Sequence, residues 1–206
     1  MNTIELAVTD TKLTSLPAIA NLASVLENYL EGRIWLVENH LNMISYSLGN
    51  NYSQNDKRNF WIDFSTYDSF YVGRTWESCW MIRKKIHLRD YIDKKWLSFS
   101  QFCIDCLVRG YYIFATVNTA YIPDYGWVGR HQIFIHGYSY DRKMFLCSDF
   151  FGGNAKYCRK WIRADELDNA YKYLYDVSSI DDFEGVCLWK FDSHTYCYDN
   201  EYGVQN

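Results

Sequence analysis

The sequence predicts an α+β protein in which helices come first along the chain and an antiparallel sheet follows. In the first half, apolar residues recur at helical spacing, as in the stripe Ile19–Tyr29. After Gly110 the chain changes to β-branched and aromatic runs that are separated by turn residues. We therefore expect a single domain over residues 1–206, with a helical half over about 1–110 and a sheet half over about 111–206.

The helices are predicted from apolar spacing together with start and stop signals. Pro17 suits a first helical position, and Gly32 and Gly110 suit helix ends. The run Asn50–Tyr71 is polar and aromatic without a clear period, so we expect a loop there. The four helices predicted in the first half cover Pro17–Gly32, Ile34–Leu48, Trp76–Ile92 and Leu97–Arg109.

The second half alternates strand-like runs with turn chemistry. The segments PDYG and SYDRK carry turn residues, and each separates two runs rich in aromatic and β-branched residues. A helix introduced by acidic residues is predicted at Ala164–Leu174, before the last strand. The predicted strands cover Tyr111–Tyr121, His131–Tyr138, Met144–Phe150 and Gly185–Phe191.

Composition narrows the functional class and the compartment. The formal net charge of −4 gives no electrostatic reason to expect a nucleic-acid or anionic-lipid partner. Apolar stretches fall short of the roughly 20 residues of a membrane helix, and the first residues do not resemble an export signal, so we expect a cytoplasmic protein. Seven irregularly spaced cysteines then indicate reduced thiols.

The usual cofactor and nucleotide motifs do not occur in this chain. There is no GxGxxG, GxxxxGK[ST], GxSxG or HExxH, so dinucleotide, nucleotide, serine-hydrolase and zinc-protease functions lack their motifs. Cys103 and Cys106 form one CxxC within a helical pattern, which is weak evidence for zinc because no second pair follows. We expect neither a cofactor nor a metal.

A histidine and an aspartate stand where two neighbouring predicted strands bring them close. His131 begins one strand and Asp149 ends the next, and residues facing each other across antiparallel strands are only about 5 Å apart. Such a pair can supply a general base and the carboxylate that orients it. In the alternative interpretation His131 is structural and Asp149 caps the FGGN turn. His136, five residues after His131, is expected on the other strand face.

The stretch YIPDYGWVGRHQIFIHGYSYDRKMFLCSDFFGGN, residues 121–154, resembles small papain-like proteins encoded in nonribosomal peptide and aminoglycoside gene clusters. The shared pattern is a Y-[IL]-P turn, a His, I-x-G-Y-[DS], a short turn and DF. This family includes the butirosin acyltransferase and a polythioamide-forming amide synthase. The resemblance implies a papain-like fold and antibiotic biosynthesis, with an acyl group passing from a carrier-protein phosphopantetheine thioester, through a cysteine thioester, to an amine.

Carried over residue by residue, the resemblance makes His131 the catalytic base and Asp149 its orienting carboxylate. The nucleophilic cysteine of the family falls on Ala18, and no cysteine precedes Cys79. The chain is therefore expected to be inactive as it stands, either through an engineered Cys→Ala change or as a natural non-catalytic relative. Cys79 and Cys147 are the other candidate nucleophiles, but neither has the helix-start context of the family.

Aromatic residues make up 19% of the chain and flank the motif. Tyr121, Trp127 and Phe151, together with Tyr125, are candidates to line a dry substrate channel, although core packing explains them almost as well. The partners implied are an acyl or peptidyl carrier protein and a small amine acceptor. Two other functions stay open: a non-catalytic carrier-protein or peptide-binding module with a degenerate papain-like cleft, and a cysteine peptidase.

Overall fold

The computed structural model describes residues 2–12, 17–40, 43–47, 60–64, 79, 81–152, 156–177 and 185–192. Helices and antiparallel strands both occur in it, which confirms the α+β class. The helices are α1 (Pro17–Leu26), α2 (Leu30–His40), α3 (Arg89–Lys95), α4 (Phe99–Val108) and α5 (Ala164–Lys172). The strands are β1 (Thr3–Glu5), β2 (Met43–Ser47), β3 (Phe60–Phe64), β4 (Ile82–Leu88), β5 (Tyr112–Asn118), β6 (Arg130–Ser139), β7 (Met144–Phe151), β8 (Lys156–Arg163) and β9 (Gly185–Phe191). Short 3₁₀ turns cover Thr119–Tyr121, Pro123–Tyr125 and Leu174–Asp176.

One antiparallel sheet organises the described part of the chain. Its strand order is β4-β9-β5-β6-β7-β8, and β1 pairs with the last residues of β6. Strands β2 and β3 form a separate two-stranded ribbon. The central strand β6 pairs with β5 from its first residue, Arg130, and with β7 from Phe134 onward.

Each face of the sheet carries its own apolar cluster, because successive side chains of a strand point to opposite faces. We call them the α4/α5 face and the α1/α2 face after the helices that cover them. The α4/α5 face includes Phe102, Ile133 and Leu167. The α1/α2 face includes Phe134 and Trp189. Burial of these two clusters is the main stabilising contribution to the fold.

The second half was predicted well. Strands β5, β6, β7 and β9 and helix α5 lie where the sequence predicts them, and α4 confirms the last helix of the first half. Strand β8 was not predicted. Its sequence KYCRKWIR pairs with β7 from Met144 to Phe151, so a charged run is held as a strand by its neighbour.

The helical first half is wrong in two places. The helix predicted at Trp76–Ile92 is replaced by strand β4 and helix α3, and the helix predicted at Ile34–Leu48 ends at His40 and is followed by β2. In β4, IRKKIHL alternates between the two faces and pairs along its whole length with β9. Short mixed runs do not distinguish helix from strand, and pairing decides. The predicted loop Asn50–Tyr71 lies outside the described residues except for 60–64.

Gly32 lies inside α2 and does not end a helix as predicted. The first helix already ends at Leu26, and α2 begins at Leu30 and packs against α1. A Cβ built on Gly32 would stand 2.3 Å from the carbonyl oxygen of Leu26. Glycine is therefore required at this position by the close approach of the two backbones.

Replacing Gly32 with alanine is expected to destabilise the protein by about 1–3 kcal/mol, the usual range for an overpacked site. The sign of the change in the free energy of unfolding is informative, since replacing glycine with alanine in an open helix interior stabilises a protein by roughly 1 kcal/mol. Urea unfolding measures the difference, with Val37→Ala on the exposed side of α2 as a control. A stabilised Gly32→Ala protein would contradict the close approach.

No helix of the described residues is both long enough and apolar enough to cross a membrane.

Candidate functional site

His131 and Asp149 meet at the end of the sheet where β6 begins and β7 ends. Phe134 of β6 faces Ser148 of β7, and alternation from this pair puts His131 and Asp149 together on the α4/α5 face. They are diagonal neighbours, and Nε2 of His131 lies 3.1 Å from Oδ1 of Asp149. The predicted proximity of His131 and Asp149 is confirmed, but the two residues are diagonal neighbours and do not face each other directly.

The Asp149 side chain is almost completely enclosed, with 1% of it exposed. Its Oδ1 also accepts the backbone N–H of Phe150 at 2.7 Å, and its Oδ2 accepts the hydroxyl of Tyr125. A buried carboxylate is costly unless donors surround it, and these charge-assisted hydrogen bonds are the stronger kind. The carboxylate is thus held on both oxygens.

Tyr125 reaches Asp149 from the 3₁₀ turn Pro123–Tyr125. The turn ends at Gly126 in the left-handed region, φ 72°, where glycine carries no steric cost. The Tyr125 ring is fully buried. Burial, and after it the negative charge of the nearby Asp149 carboxylate, raises the pKa of the Tyr125 hydroxyl well above the usual range. The hydroxyl therefore stays protonated and donates. Sequence reasoning placed Tyr125 among the channel aromatics and missed this contact.

His131 is the accessible end of this chain of hydrogen bonds. About a quarter of its side chain is exposed (24%). Nε2 makes the contact with Asp149, so Nδ1 is the ring nitrogen that this contact does not use. Trp127 stands edge-on to the imidazole at 5.3 Å between ring centroids and is 38% exposed. A partly exposed aromatic side chain therefore lies beside the imidazole, and the substrate-binding role of Trp127 stays a prediction.

Tyr121 and Phe151 are placed differently from Trp127. Tyr121 stacks on Tyr173 at 5.0 Å between ring centroids, in the turn that follows β5. Phe151 is buried in the α4/α5 cluster and contacts the ring of Tyr125 at 4.9 Å. Phe151 thus supports Tyr125 from within the core, and the burial of its ring favours packing over a direct substrate contact.

Ala18 lies in the first turn of α1 and belongs to the cluster of the α1/α2 face, 4% exposed. The His131–Asp149 pair points to the opposite face. The first turns of α1 nevertheless reach the same end of the sheet, because Asn21 Oδ1 accepts the hydroxyl of Tyr157 at 2.7 Å. Tyr157 in turn pairs with Phe150, the residue after Asp149. Position 18 is thus near the end of β7 but across the sheet from the imidazole.

In four buried cysteines of the described residues, burial raises the pKa of the thiol. Burial raises the pKa of Cys79 to about 11 and that of Cys106 to about 12. Burial also raises the pKa values of Cys103 and Cys147 well above the usual range. Thiols protonated at neutral pH are poor nucleophiles, which argues against Cys79 and Cys147 in that role.

Three further cysteines remain, of which Cys187 is buried on β9. Cys158 is half-buried on β8, directly opposite Asp149 in the strand register, and Cys197 lies outside the described residues. Cys103 and Cys106 lie on α4, within the apolar core. In the part of the chain that the structure describes, no group of three or more His, Cys, Asp or Glu side chains is arranged to hold a metal ion.

His136 lies on the α1/α2 face, as predicted, at a β-bulge between Ile135 and Gly137. Its Nε2 lies 2.9 Å from Ser148 Oγ, and its buried Nδ1 has no hydrogen-bond partner among the described residues. Burial, with a smaller contribution from the Arg159 charge, lowers the pKa of His136 to about 3. The imidazole is therefore neutral in the folded protein at neutral and mildly acidic pH.

Acid is expected to destabilise the protein through His136. Between pH 6.5 and 3 the unfolded chain binds a proton that the folded protein excludes, so the free energy of unfolding falls as the pH falls. From pH 7 to pH 5 this one group accounts for about 2 kcal/mol. Urea unfolding of His136→Gln, which keeps a donor near Ser148, should show a shallower loss than the parent protein. His87→Gln is the comparison at a partly exposed histidine, whose pKa is also lowered by burial and then by Lys85 and Lys95. It should change the slope less than His136→Gln, and equal slopes for all three proteins would contradict the assignment.

Comparison with protein-family models, with curated proteins and with solved structures finds no match to this chain.

Proposed function

We propose that this protein has a papain-like fold and belongs by function to the acyltransferases of natural-product biosynthesis. In this proposal an acyl group passes from a carrier-protein thioester, through a cysteine thioester, to an amine. The observation that carries the proposal is the 3.1 Å contact between Nε2 of His131 and Oδ1 of the buried Asp149. An oriented imidazole with one ring nitrogen left over is the base half of a Cys-His-Asp triad.

The proposed chemistry assigns each step to a residue. With a thiol at position 18, His131 takes the thiol proton and the sulfur attacks the thioester carbonyl. The pantetheine sulfur leaves with that proton, so an acyl-cysteine forms. An amine then attacks the acyl-cysteine, His131 accepts the amine proton and returns it to the leaving thiol, and an amide is released. Asp149 keeps the imidazole oriented throughout.

Because α1 covers the opposite face of the sheet from the His131–Asp149 pair, the proposal requires the thiol of residue 18 to meet His131 around the end of the sheet. The Asn21–Tyr157 hydrogen bond brings the first turns of α1 to the end of the sheet where Asp149 lies. A thiolate near a helix N-terminus is favoured by the helix dipole. The six cysteines described are free thiols, which supports a reducing, cytoplasmic setting.

The test restores the missing thiol. We expect Ala18→Cys to gain one acyl group, seen as an increase in intact mass, after incubation with a small acyl-pantetheine thioester. Adding His131→Ala is expected to slow this acylation by about 10²- to 10⁴-fold, the usual contribution of a general base. The parent protein is the matched control, because it retains Cys158 and the other thiols. Equal acylation of the parent, or no acylation of Ala18→Cys, would contradict the proposal.

A second candidate is a non-catalytic module that binds an acyl-loaded carrier protein. It is favoured by the alanine at position 18 and by the raised pKa values of the buried thiols Cys79 and Cys106. This candidate predicts that the parent protein binds a thioester-loaded carrier protein in titration calorimetry, while Ala18→Cys forms no adduct. Adduct formation in Ala18→Cys favours the enzyme instead.

A further inference from the structure

Tyr125 is the innermost member of a hydrogen-bonded chain that ends at His131. We propose that Tyr125 is a positioning residue for His131: its hydroxyl holds Asp149 in the orientation that meets the imidazole, and its ring restricts the imidazole plane. The inference rests on the proposed role of His131 as a base. It adds a residue that the sequence motif did not assign to the acid–base machinery.

The hydroxyl acts on the orientation of the carboxylate. Oδ1 of Asp149 faces His131 and accepts the N–H of Phe150, while Oδ2 accepts only the Tyr125 hydroxyl among the bonds described for it. The terminal torsion of an aspartate is broad, so a carboxylate held on one side alone can rotate. With Tyr125 in place, rotation would leave a buried oxygen and a buried hydroxyl unpaired, and the orientation toward His131 is retained.

The ring acts on the imidazole directly. Tyr125 stands edge-on to His131, with 5.5 Å between ring centroids and 76° between planes, and Trp127 contacts the same imidazole at 79°. Thr119 donates its hydroxyl to the carbonyl of Trp127 at 2.8 Å, which ties the turn that carries both aromatic residues to the end of β5. The imidazole therefore has two aromatic neighbours held by one braced turn.

The presence of a tyrosine, and not a phenylalanine, at the buried position 125 indicates that its hydroxyl has a role. A phenylalanine would fill the same space beside Phe151, and a buried hydroxyl is costly without a partner. The Asp149 carboxylate is that partner. Because burial and this carboxylate raise the pKa of Tyr125, the phenol stays protonated at neutral pH and donates.

The test is an NMR measurement on ¹⁵N-histidine-labelled protein, with the His131 signals assigned by loss in His131→Gln. We expect His131 to carry its proton on Nε2, toward Asp149, and to exchange that proton slowly with water. Tyr125→Phe should speed this exchange at least tenfold and broaden the tautomer signature, while the protein stays folded. Tyr121→Phe is the matched control, since Tyr121 stacks on Tyr173 and is expected to leave the His131 signals unchanged.

A double-mutant cycle separates positioning from packing. In an Asp149→Asn background, Tyr125→Phe should no longer change the exchange rate at His131, because its effect passes through the carboxylate. Unchanged His131 signals in Tyr125→Phe would overturn the inference, and so would equal effects with and without Asp149. These readouts need no acyl donor, so failure of the acylation experiment alone would overturn the proposed function and leave the Tyr125 result to stand by itself.

Discussion

Replacing Asp149 with alanine is expected to destabilise the protein by about 3–5 kcal/mol, the range for removing one partner of a buried ionic or hydrogen-bonded network. The change removes the acceptor of the Tyr125 hydroxyl, which is fully buried, and of the N–H of Phe150, which is half-buried. It also removes the partner of His131, whose side chain can still reach solvent. Most of the loss is therefore expected from the stranded Tyr125 hydroxyl and the vacated space.

Urea unfolding monitored by tryptophan fluorescence and by circular dichroism measures this loss. Asp165→Ala is the control, since Asp165 pairs with Arg163 at 3.3 Å on the surface, with most of both side chains exposed. Exposed pairs of this kind contribute about 0–1 kcal/mol. A loss below about 1 kcal/mol for Asp149→Ala would show that the network is not stabilising.

The sheet half was predictable because its signals are local and agree with one another. Strands β5, β6 and β7 are apolar, β-branched or aromatic, and turn residues such as those of PDYG separate them. The His131–Asp149 contact followed from this order alone, since two consecutive antiparallel strands place the start of one near the end of the next. Here local propensity and long-range pairing lead to the same structure.

The first half was less predictable because long-range pairing decides it. Strand β4 carries lysines and arginine that suit a helix equally well, and it is a strand because β9, about a hundred residues later, pairs with it. Gly32 illustrates the same limit. Its spacing predicts a helix end, whereas the approach of Leu26 requires glycine within the second helix.

The site shows what a motif omits. The resemblance supplied His131, Asp149 and position 18, but a linear motif does not show that Tyr125 donates to Asp149 or that Phe151 packs behind it. The turn PDYG was the available signal, because it positions an aromatic residue just before the strand that begins with the histidine. Nor does a motif say which sheet face a helix covers, and here α1 and the His131–Asp149 pair occupy opposite faces.

Replacing Trp189 with alanine is expected to cost about 3–5 kcal/mol, as for other large-to-small changes of buried aromatic residues. Trp189 is fully buried on the α1/α2 face, 5.5 Å from Phe114 and 5.6 Å from Phe134 between ring centroids. It thereby joins the packing of β9, β5 and β6. Trp161→Ala removes the same side chain from a half-buried position on β8 and should cost far less, which makes it the matched control.

The two faces of the sheet make this prediction useful for the site as well. Because Trp189 packs on the α1/α2 face and His131 on the α4/α5 face, Trp189→Ala should lower the free energy of unfolding without changing the His131 exchange rate in the folded protein. Tyr125→Phe should do the reverse, with a modest loss of stability and a large change at His131. If Trp189→Ala altered the His131 signals as strongly as Tyr125→Phe, the His131 signals would depend on the packing of the whole protein. That outcome would contradict a specific effect of Tyr125 through Asp149.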